Sequence, residues 1–576
     1  MAAEEDLTDL WQSHSQLDVV LELVFLWLGG VDLACCGAAC RAWRQAIRRA
    51  DVWRCLLVQA SSADTVHALA SVYDGACPWR ELYVASIAPW RQVTCLTPDR
   101  PARLAAAALN RAGDLLAIAA EDCSFTVWMY ENGKWARAGA GSVTLGWTGV
   151  ERAEWAPDAP LLLLAGSAPL SAQRGALAVL RPQNEDSLES WVVAARATGG
   201  GGCWAGEGFL SLELSRLSAL EHAPVFGTDV WLNAPTQETE DEFAGTAARV
   251  LRIYNEKRAV ITQVVCADAP LDARTAQEWA EAEATVRAED MRVDASADPT
   301  SADPAYAPEV VKLEELGPDE AYYRVIYDRG RTSDTPNAWI RVVVLACGGV
   351  LGVWPLPRER PPPLHVPDDA LRLRMRARAE RRQREAEAAA AGEVEEEAPE
   401  LSTAELRARC DPPTARLRLP GNVLGLTALQ NGRAVWASVS GGAICASLPA
   451  LRVLRIVLAK PGNGSPHYMQ PHVTDEYFGS PCGGSSPTAY VWGPAGASTK
   501  LSGEAPALAV LLRCRALPEA LLLTEDKLQV WQSTAPRARW PDDDNGDNAS
   551  DYSDNNYDSS SNSNISDSNW RPSDRD

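Results

Sequence analysis

Short blocks of apolar residues at helical spacing mark residues 17–57, near the start of the chain. Steps of three and four residues place these side chains on one face of a predicted first helix: Val20, Leu21, Val24, Phe25 and Leu28. The spacing continues through a second and a third short helix at Leu33, Cys36, Cys40, Trp43 and Ile47. Gly29 and Gly30 are expected to end the first helix, because glycine fits the left-handed conformation that closes helices. Trp53 stands where it could complete a small core.

A helical block of about 40 residues buries too little surface for much stability of its own. We therefore expect some of its apolar side chains to be buried against another protein. The alternative is an ordinary helical subdomain that packs on the rest of the chain. Residues 58–92 continue as a helical linker with Trp79, Leu82 and Tyr83 as anchors, and the polar residues 1–16 are predicted to be disordered.

From about residue 93 the pattern changes to short apolar or alternating strands that are separated by turns. The clearest unit runs from Leu104 to Tyr130, with a turn at Asn110–Asp114 between its first two strands. Three strands at this spacing are typical of a propeller blade of the WD40 type. Trp128 lies at the end of the third strand, where such blades carry a tryptophan.

Weaker units of the same kind follow over 93–267, 321–360 and 416–540, and together they predict about seven blades. The 21 tryptophans outnumber the 6 phenylalanines, as expected if one tryptophan per blade ends a strand. We assign a structural role within the blades to Trp128, Trp231, Trp492 and Trp531. The predicted fold is therefore an N-terminal α-helical block followed by an all-β propeller, some of whose blades are degenerate.

Two insertions and a tail interrupt this pattern. Residues 268–320 are acidic and rich in Ala, Asp and Pro, which predicts an exposed insertion. Residues 361–415 hold seven Arg between 372 and 384 and seven Glu between 385 and 400, which indicates a solvated, charged helix. The tail, 541–576, consists largely of Asp, Asn and Ser and is predicted to be disordered.

The helical block resembles an F-box. The residues that carry the resemblance, in order, are Leu17, Leu21, Phe25, Leu28, Asp32, Leu33, Cys40, Arg41, Trp43, Arg44 and Trp53. The usual Leu-Pro opening is Leu17-Asp18 here, and Asp18 can cap the first helix. An F-box followed by a propeller is the layout of the F-box/WD-repeat family, which Gly202–Asn255 and Gly421–Gly425 also resemble.

The resemblance implies a non-catalytic substrate receptor of an SCF ubiquitin ligase. In that family the F-box binds a Skp-type adaptor and its cullin, the propeller holds protein substrates, and cullin-4 ligases are also used. Substrates there include regulators of centriole duplication, actin and growth signalling, which are ubiquitinated for proteasomal degradation. The residues it implies for the adaptor contact are Leu21, Phe25, Leu28, Leu33, Trp43 and Trp53, of which the first four could equally form the internal core.

Charge narrows the choice of partners and compartment. The net charge is −23, so we expect binding neither to nucleic acid nor to anionic membranes. The acidic start MAAEEDL lacks the basic beginning of a secretory signal, and the 14 cysteines show no paired framework. We expect a cytoplasmic protein. The Arg block of the second insertion leaves a nuclear location open.

The sequence contains no recognisable catalytic motif. The glycine run at 199–202 lacks the Lys-Ser/Thr of a phosphate loop, and no Gly-x-Ser-x-Gly elbow occurs. His467 and His472 lie in a loop-like segment without a third ligand, so we expect neither metal nor cofactor. The alternative to a ligase receptor is a WD-repeat scaffold whose N-terminal helices only cap the propeller.

Overall fold

A computed structural model describes most of the chain between residues 21 and 534. The described residues are 21, 23–49, 52–72, 77–98, 102–143, 146–167, 175–184, 187–198, 201–217, 225–235, 246–255, 261–295, 310–327, 339–356, 403–459, 469–474, 476–483, 485–496, 498–514 and 517–534. The predictions made for residues 1–16 and for the tail 541–576 lie outside them. So does most of the charged insertion predicted over 361–415.

The chain opens with a group of short helices, which we call the helical module (residues 21–89). A helical turn at residues 23–25 precedes five helices: α1 (Gly30–Ala39), α2 (Arg41–Arg49), α3 (Val52–Ala60), α4 (Ala63–Val72) and α5 (Trp79–Ile87). The predicted helices and helical linker are thus present. Two residues, Ala88 and Pro89, separate α5 from the first strand.

The rest of the described chain forms seven four-stranded antiparallel sheets, which confirms the predicted propeller. Blades 1 and 2 comprise β2 (Leu104–Leu109), β3 (Leu115–Ala120), β4 (Ser124–Glu131) and β5 (Lys134–Ser142), then β6 (Gly149–Trp155), β7 (Leu162–Ser167), β8 (Gly175–Asn184) and β9 (Ser187–Thr198). Blades 3 and 4 comprise β10 (Gly202–Ala205), β11 (Gly208–Arg216), β12 (Phe226–Asn233) and β13 (Thr246–Tyr254), then β14 (Ile261–Pro270), β15 (Trp339–Cys347), β16 (Val350–Pro355) and β17 (Ala415–Arg418). Blades 5 and 6 comprise β18 (Val423–Ala428), β19 (Ala434–Val439), β20 (Gly442–Ser447) and β21 (Val453–Leu458), then β22 (His472–Val473), β23 (Phe478–Pro481), β24 (Thr488–Trp492) and β25 (Ser498–Ser502). Blade 7 comprises β26 (Ala507–Cys514), β27 (Pro518–Thr524), β28 (Leu528–Ser533) and, from the start of the chain, β1 (Trp90–Leu96).

The first strands of the seven blades follow one another around a ring. β2 contacts β6, and the series continues through β10, β14, β18 and β22 to β26, which contacts β2 again. The ring is closed within blade 7, where β1 pairs with β28 from Trp90 opposite Ser533 to Leu96 opposite Leu528. This pairing was not predicted from the sequence.

Stacking of neighbouring blades explains the sequence pattern of the strands. Each sheet is covered on both faces, so a strand such as β3 (LLAIAA) reads as a continuous apolar run that is buried almost throughout. The turn predicted after β2 is built by Asn110, whose Oδ1 accepts the backbone N–H groups of Asp114 and Leu115, both at 2.9 Å. Gly113 supplies the positive φ that this turn needs, at 71°.

The propeller has two distinct faces. In blade 7 the Trp90 end of β1 lies beside Ser533, the same end at which Cys514 pairs with Pro518 across the first hairpin of the blade. We call this the entry face, because the helical module joins the propeller there. It carries the hairpins between first and second strands and between third and fourth strands. The far face carries the remaining connections.

Both insertions belong to blade 4 and leave it at the entry face. The first, between β14 and β15, contains α6 (Ala273–Ala295) and α7 (Glu320–Tyr327), and the second contains α8 (Thr403–Ala408) just before β17. The segment predicted as an exposed insertion is thus partly packed: Ala282 contacts the core and Val286 is buried. Residues 320–327, predicted within a blade segment, form a helix because Tyr322, Tyr323 and Ile326 share one buried face.

Candidate protein-docking surfaces

The helical module has a core of its own. Phe25, Leu33 and Trp53 are buried in it, and the Phe25 ring meets the edge of Trp43 at a centroid distance of 6.0 Å. Trp53 contacts Tyr83 of α5 at 5.7 Å, which joins the predicted F-box stretch to the predicted linker. These contacts use the aromatic residues that the sequence placed in the small core.

The first glycine pair has a different role from the one predicted. Gly29 adopts φ −72° and ψ 163°, so it is extended and not left-handed, and it stands at the N-cap of α1. The prediction of a left-handed helix stop was therefore wrong, and the chain turns over residues 26–28 instead. Gly30 is needed for a close approach, because a Cβ there would lie 2.4 Å from Cε1 of Tyr83.

A strip of large apolar side chains faces solvent on the module. Its members and their exposed fractions are Leu23 at 56%, Val24 at 48%, Trp27 at 90% and Val31 at 74%. Leu23, Trp27 and Val31 are spaced four residues apart. We call these four residues the apolar strip. Several exposed large apolar side chains within a short stretch, a tryptophan among them, are typical of a protein-binding site.

The six residues assigned to the adaptor contact divide into two groups. Phe25, Leu33 and Trp53 are buried within the module, whereas Leu21, Leu28 and Trp43 are half-buried at its surface. Their contribution to an adaptor contact stays a prediction. The sequence reasoning did not single out Leu23, Trp27 or Val31, and because the chain turns over residues 26–28, helical spacing alone does not place them on one face.

Cys40 was predicted to be a core side chain and is exposed, so that prediction was wrong. It lies between α1 and α2, where its Sγ accepts the backbone N–H of Trp43 at 3.4 Å and its carbonyl accepts that of Arg44. A residue that caps a helix sits at the surface because the helix begins there. Cys36 is half-buried.

The four tryptophans assigned to the blades occupy different depths. Trp492 is buried and stacks on Phe478 at 5.4 Å. Trp128, Trp231 and Trp531 are half-buried. The indole N–H groups of two of them donate hydrogen bonds to neighbours on their own strand: Trp128 to Thr126 Oγ1 at 3.2 Å and Trp531 to Gln529 Oε1 at 3.1 Å.

Polar side chains cross the centre of the propeller. Arg152 of blade 2 donates to the Val264 carbonyl of blade 4 at 2.9 Å, and Gln470, just before β22 of blade 6, donates to the Ala107 carbonyl of blade 1 at 2.6 Å. Each of these two hydrogen bonds reaches across the blade that lies between the two blades it joins. Burial raises the pKa of Glu154, and the adjacent Arg152, at 3.1 Å, partly offsets the effect. These hydrogen bonds link blades that are not adjacent in the ring. We therefore look for binding sites on the outer surfaces of the propeller.

The described residues also limit other kinds of site. Within them, no group of three or more His, Cys, Asp or Glu side chains is arranged to hold a metal ion. None of the helices in the described part of the chain is long and apolar enough to cross a membrane.

Comparison with known proteins gives one kind of relative. The chain is 24% identical over 262 residues to F-box/WD repeat-containing protein 5 of Rattus norvegicus and of Mus musculus, and 24% identical over 260 residues to that of Homo sapiens. These matches cover 44% of this chain and 43–44% of the relatives, so the chain spans less than half the length of the curated relatives it matches. No protein-family model matches it. The similarity supports an F-box/WD-repeat type of protein, not an individual member.

Proposed function

We propose that this protein is the substrate-recognition subunit of an SCF ubiquitin ligase. The observation that carries the proposal is the apolar strip, which the helical module presents to solvent although the module has its own core. The order of F-box residues in the same stretch, and the similarity to F-box/WD-repeat proteins, support a Skp-type adaptor as the proposed partner. A cullin would join through that adaptor.

The propeller supplies the second docking surface. The helical module and both blade-4 insertions lie on the entry face, so we propose that protein substrates bind the far face. The protein then takes no chemical part in the reaction. It raises the effective concentration of substrate lysines near a ubiquitin-loaded enzyme that is held elsewhere on the complex.

Replacement of the apolar strip tests the adaptor contact. Trp27→Ala combined with Val31→Ser should weaken binding of purified Skp-type adaptor by at least about tenfold, because a hot-spot aromatic typically contributes 2 kcal/mol or more. Isothermal titration calorimetry measures the change. Thermal unfolding should shift little, since exposed side chains away from special features contribute within about 0.5 kcal/mol.

Val58→Ser is the matched control, because Val58 is a half-exposed apolar residue of α3 outside the strip. It should leave the adaptor affinity unchanged. If the wild-type chain does not bind the adaptor, or the strip variant binds it as well as wild type, the assignment fails. The WD-repeat scaffold is then the better description.

A cullin-4 ligase is the alternative assembly. Receptors for its adaptor usually end a blade with Trp-Asp-x-Arg, whereas the blade ends here read Trp128-Met129, Trp231-Leu232, Trp354-Pro355, Trp492-Gly493 and Trp531-Gln532. None offers the forked Arg donor that such a contact would use. We therefore favour the SCF route. Both cullins should be quantified from one lysate with the full chain and with residues 17–53 deleted, and cullin-4 recovery that survives the deletion would overturn this choice.

The cellular setting follows from the same proposal. A receptor of this type would act in the cytoplasm, with the nucleus as a second location, on substrates that include regulators of centriole duplication. Proximity labelling with and without a cullin inhibitor would identify the substrates, because only those enriched by inhibition turn over through the complex.

A further inference from the structure

Helix α7 contacts the helical module on one side and the propeller on the other. On the module side it packs against α4, and on the propeller side it contacts β21 of blade 5. Two of its side chains, Tyr322 and Tyr323, are buried between these partners. Because α7 belongs to the first insertion of blade 4, it joins three parts of the chain that are far apart in sequence.

The contacts of α7 with the propeller are specific. The Tyr323 hydroxyl donates to the Pro494 carbonyl in a blade-6 hairpin at 2.7 Å. The buried guanidinium of Arg455, from β21, donates to the Tyr322 hydroxyl at 3.0 Å, and its Cζ lies 5.0 Å from the centre of the Tyr322 ring. Buried hydrogen bonds of this kind fix one orientation, because any other leaves polar groups unpaired.

Both ends of α7 are also held. Asp319 Oδ1 accepts the Tyr322 N–H at 2.9 Å and caps the start of the helix. At its end, Asn431 Nδ2, from the first hairpin of blade 5, donates to the Val325 and Ile326 carbonyls at 3.2 and 3.4 Å. Just before the helix, Leu316 forms an antiparallel bridge with Ile456 of β21. The helix is therefore positioned by blades 5 and 6 along its whole length.

Without α7, the module would be joined to the propeller mainly where α5 leads into β1. Motion between linked parts of a chain is the default expectation unless a further interface restrains it. A second attachment at a different place on the entry face removes the freedom to swivel about the first.

We infer that α7 is a positioning element: it fixes the direction in which the helical module, with its apolar strip, points relative to the propeller. The effect of this fixed direction on ubiquitin transfer rests on the proposed function, since it would hold a substrate bound to the far face at a set distance from the ligase enzyme. The orientation itself is a property of the chain and can be measured without any partner.

The test measures the distance between a site in the helical module and a site in the propeller. Spin labels are attached through an unnatural ketone amino acid, which avoids the native thiols, at exposed Val58 of α3 and exposed Lys134 of blade 1 in the full chain. Pulsed electron paramagnetic resonance should give a narrow distance distribution for wild type. Tyr323→Ala combined with Ile326→Ala should broaden it by about twofold or more, as expected when the restraining interface is lost.

Arg324→Ala is the control on the same helix, because Arg324 is exposed and pairs only with the exposed Glu320 among the contacts of the described residues. It should leave the distribution narrow. If the double variant fails to fold, Asn431→Ala replaces it, since this change removes the bonds to the end of α7 together with a single hairpin bond, from the Arg433 N–H to Asn431 Oδ1. An unchanged distribution in a folded α7 variant would overturn the inference.

A second readout separates this inference from the proposed function. In the double variant, adaptor affinity should stay within about twofold of wild type, because the apolar strip is untouched. Ubiquitination of a bound substrate should then fall although both docking events persist. If wild type does not bind the adaptor, the proposed function fails, while the distance measurement still decides the role of α7.

Discussion

The propeller and the helical module treat their large apolar residues in opposite ways. In the propeller, Trp436 is fully buried and stacks on Phe478 of the next blade at 4.0 Å. In the module, Trp27 and Val31 are the most exposed large apolar side chains of the described chain. The propeller closes on itself through the pairing of β1 with β28, whereas the module presents large apolar side chains to solvent. The difference separates a closed framework from a module with an exposed apolar surface.

The sharpest test of the framework is its best-buried tryptophan. Trp436→Ala should lower the free energy of unfolding by about 3–5 kcal/mol, as is typical for large-to-small changes at buried aromatic positions. Denaturant unfolding followed by circular dichroism measures the loss. Trp436→Phe keeps a ring on Phe478 and should cost about 1–2 kcal/mol. If both variants unfolded like wild type, blades 5 and 6 would not depend on this stack.

The seam between the first and last blades should respond almost as strongly. Arg513 of blade 7 and Glu519 form a buried ion pair at 2.7 Å, and the Arg513 guanidinium lies 3.4 Å from the Tyr130 ring of blade 1. Glu519→Gln leaves a buried cation without its counter-charge and should cost about 3 kcal/mol. The same denaturant titration reports it.

The control for the seam is an exposed ion pair on the far face. Lys527 pairs with Glu504, whose side chain is 81% exposed. Glu504→Gln should cost much less than Glu519→Gln, because an ion pair whose carboxylate is exposed is screened by solvent. Equal losses for the two variants would show that Glu519 is not in a buried, closing contact.

The last of these effects depends on pH. His472 of β22 accepts the Leu512 N–H on Nδ1 at 3.2 Å, and desolvation lowers its pKa to about 4. A histidine that is neutral in the folded state and has a lowered folded pKa stabilises the fold above its ordinary value of 6.5, and that stabilisation is lost as pH falls from there towards 4. The loss should reach about 3 kcal/mol, at 1.36 kcal/mol per pKa unit.

His472→Gln isolates this contribution, because a glutamine oxygen can accept the same N–H and does not titrate. Unfolding free energies of wild type and variant should converge or cross between pH 6.5 and 4, and run parallel above pH 7. A constant difference over the whole range would show that His472 is already protonated in the native state or equally solvated in both states.

Sequence reasoning succeeded where the residue type alone determines the local structure. Asn110 and Gly113 gave the first turn, and continuous apolar runs such as β3 gave buried strands, because the local chemistry determines the local conformation. The same holds for the number of blades, which repeats a local pattern. These features needed no knowledge of distant contacts.

Sequence reasoning failed where the structure of a segment depends on residues that are distant in the sequence. β1 (WRQVTCL) has no regular alternation of apolar and polar residues, and its assignment as a strand depends on β28 at the other end of the domain. Tyr322 and Tyr323 look like strand residues until blades 5 and 6 and α4 surround them. Trp27 has the same identity whether it is buried or presented to a partner, so its role could be found only from its exposure.

Closure of the ring by β1 also sets an order of events during synthesis. Trp90 and its partner Ser533 are about 440 residues apart, a stretch that takes roughly 20–90 s to translate at about 5–20 residues per second. Throughout that interval β1 has emerged from the ribosome without the strand it pairs with. The contacts within the helical module are local, so they can form during the same interval. Under the proposed function, a newly made chain could therefore offer its apolar strip to the adaptor before the ring that would hold a substrate is complete.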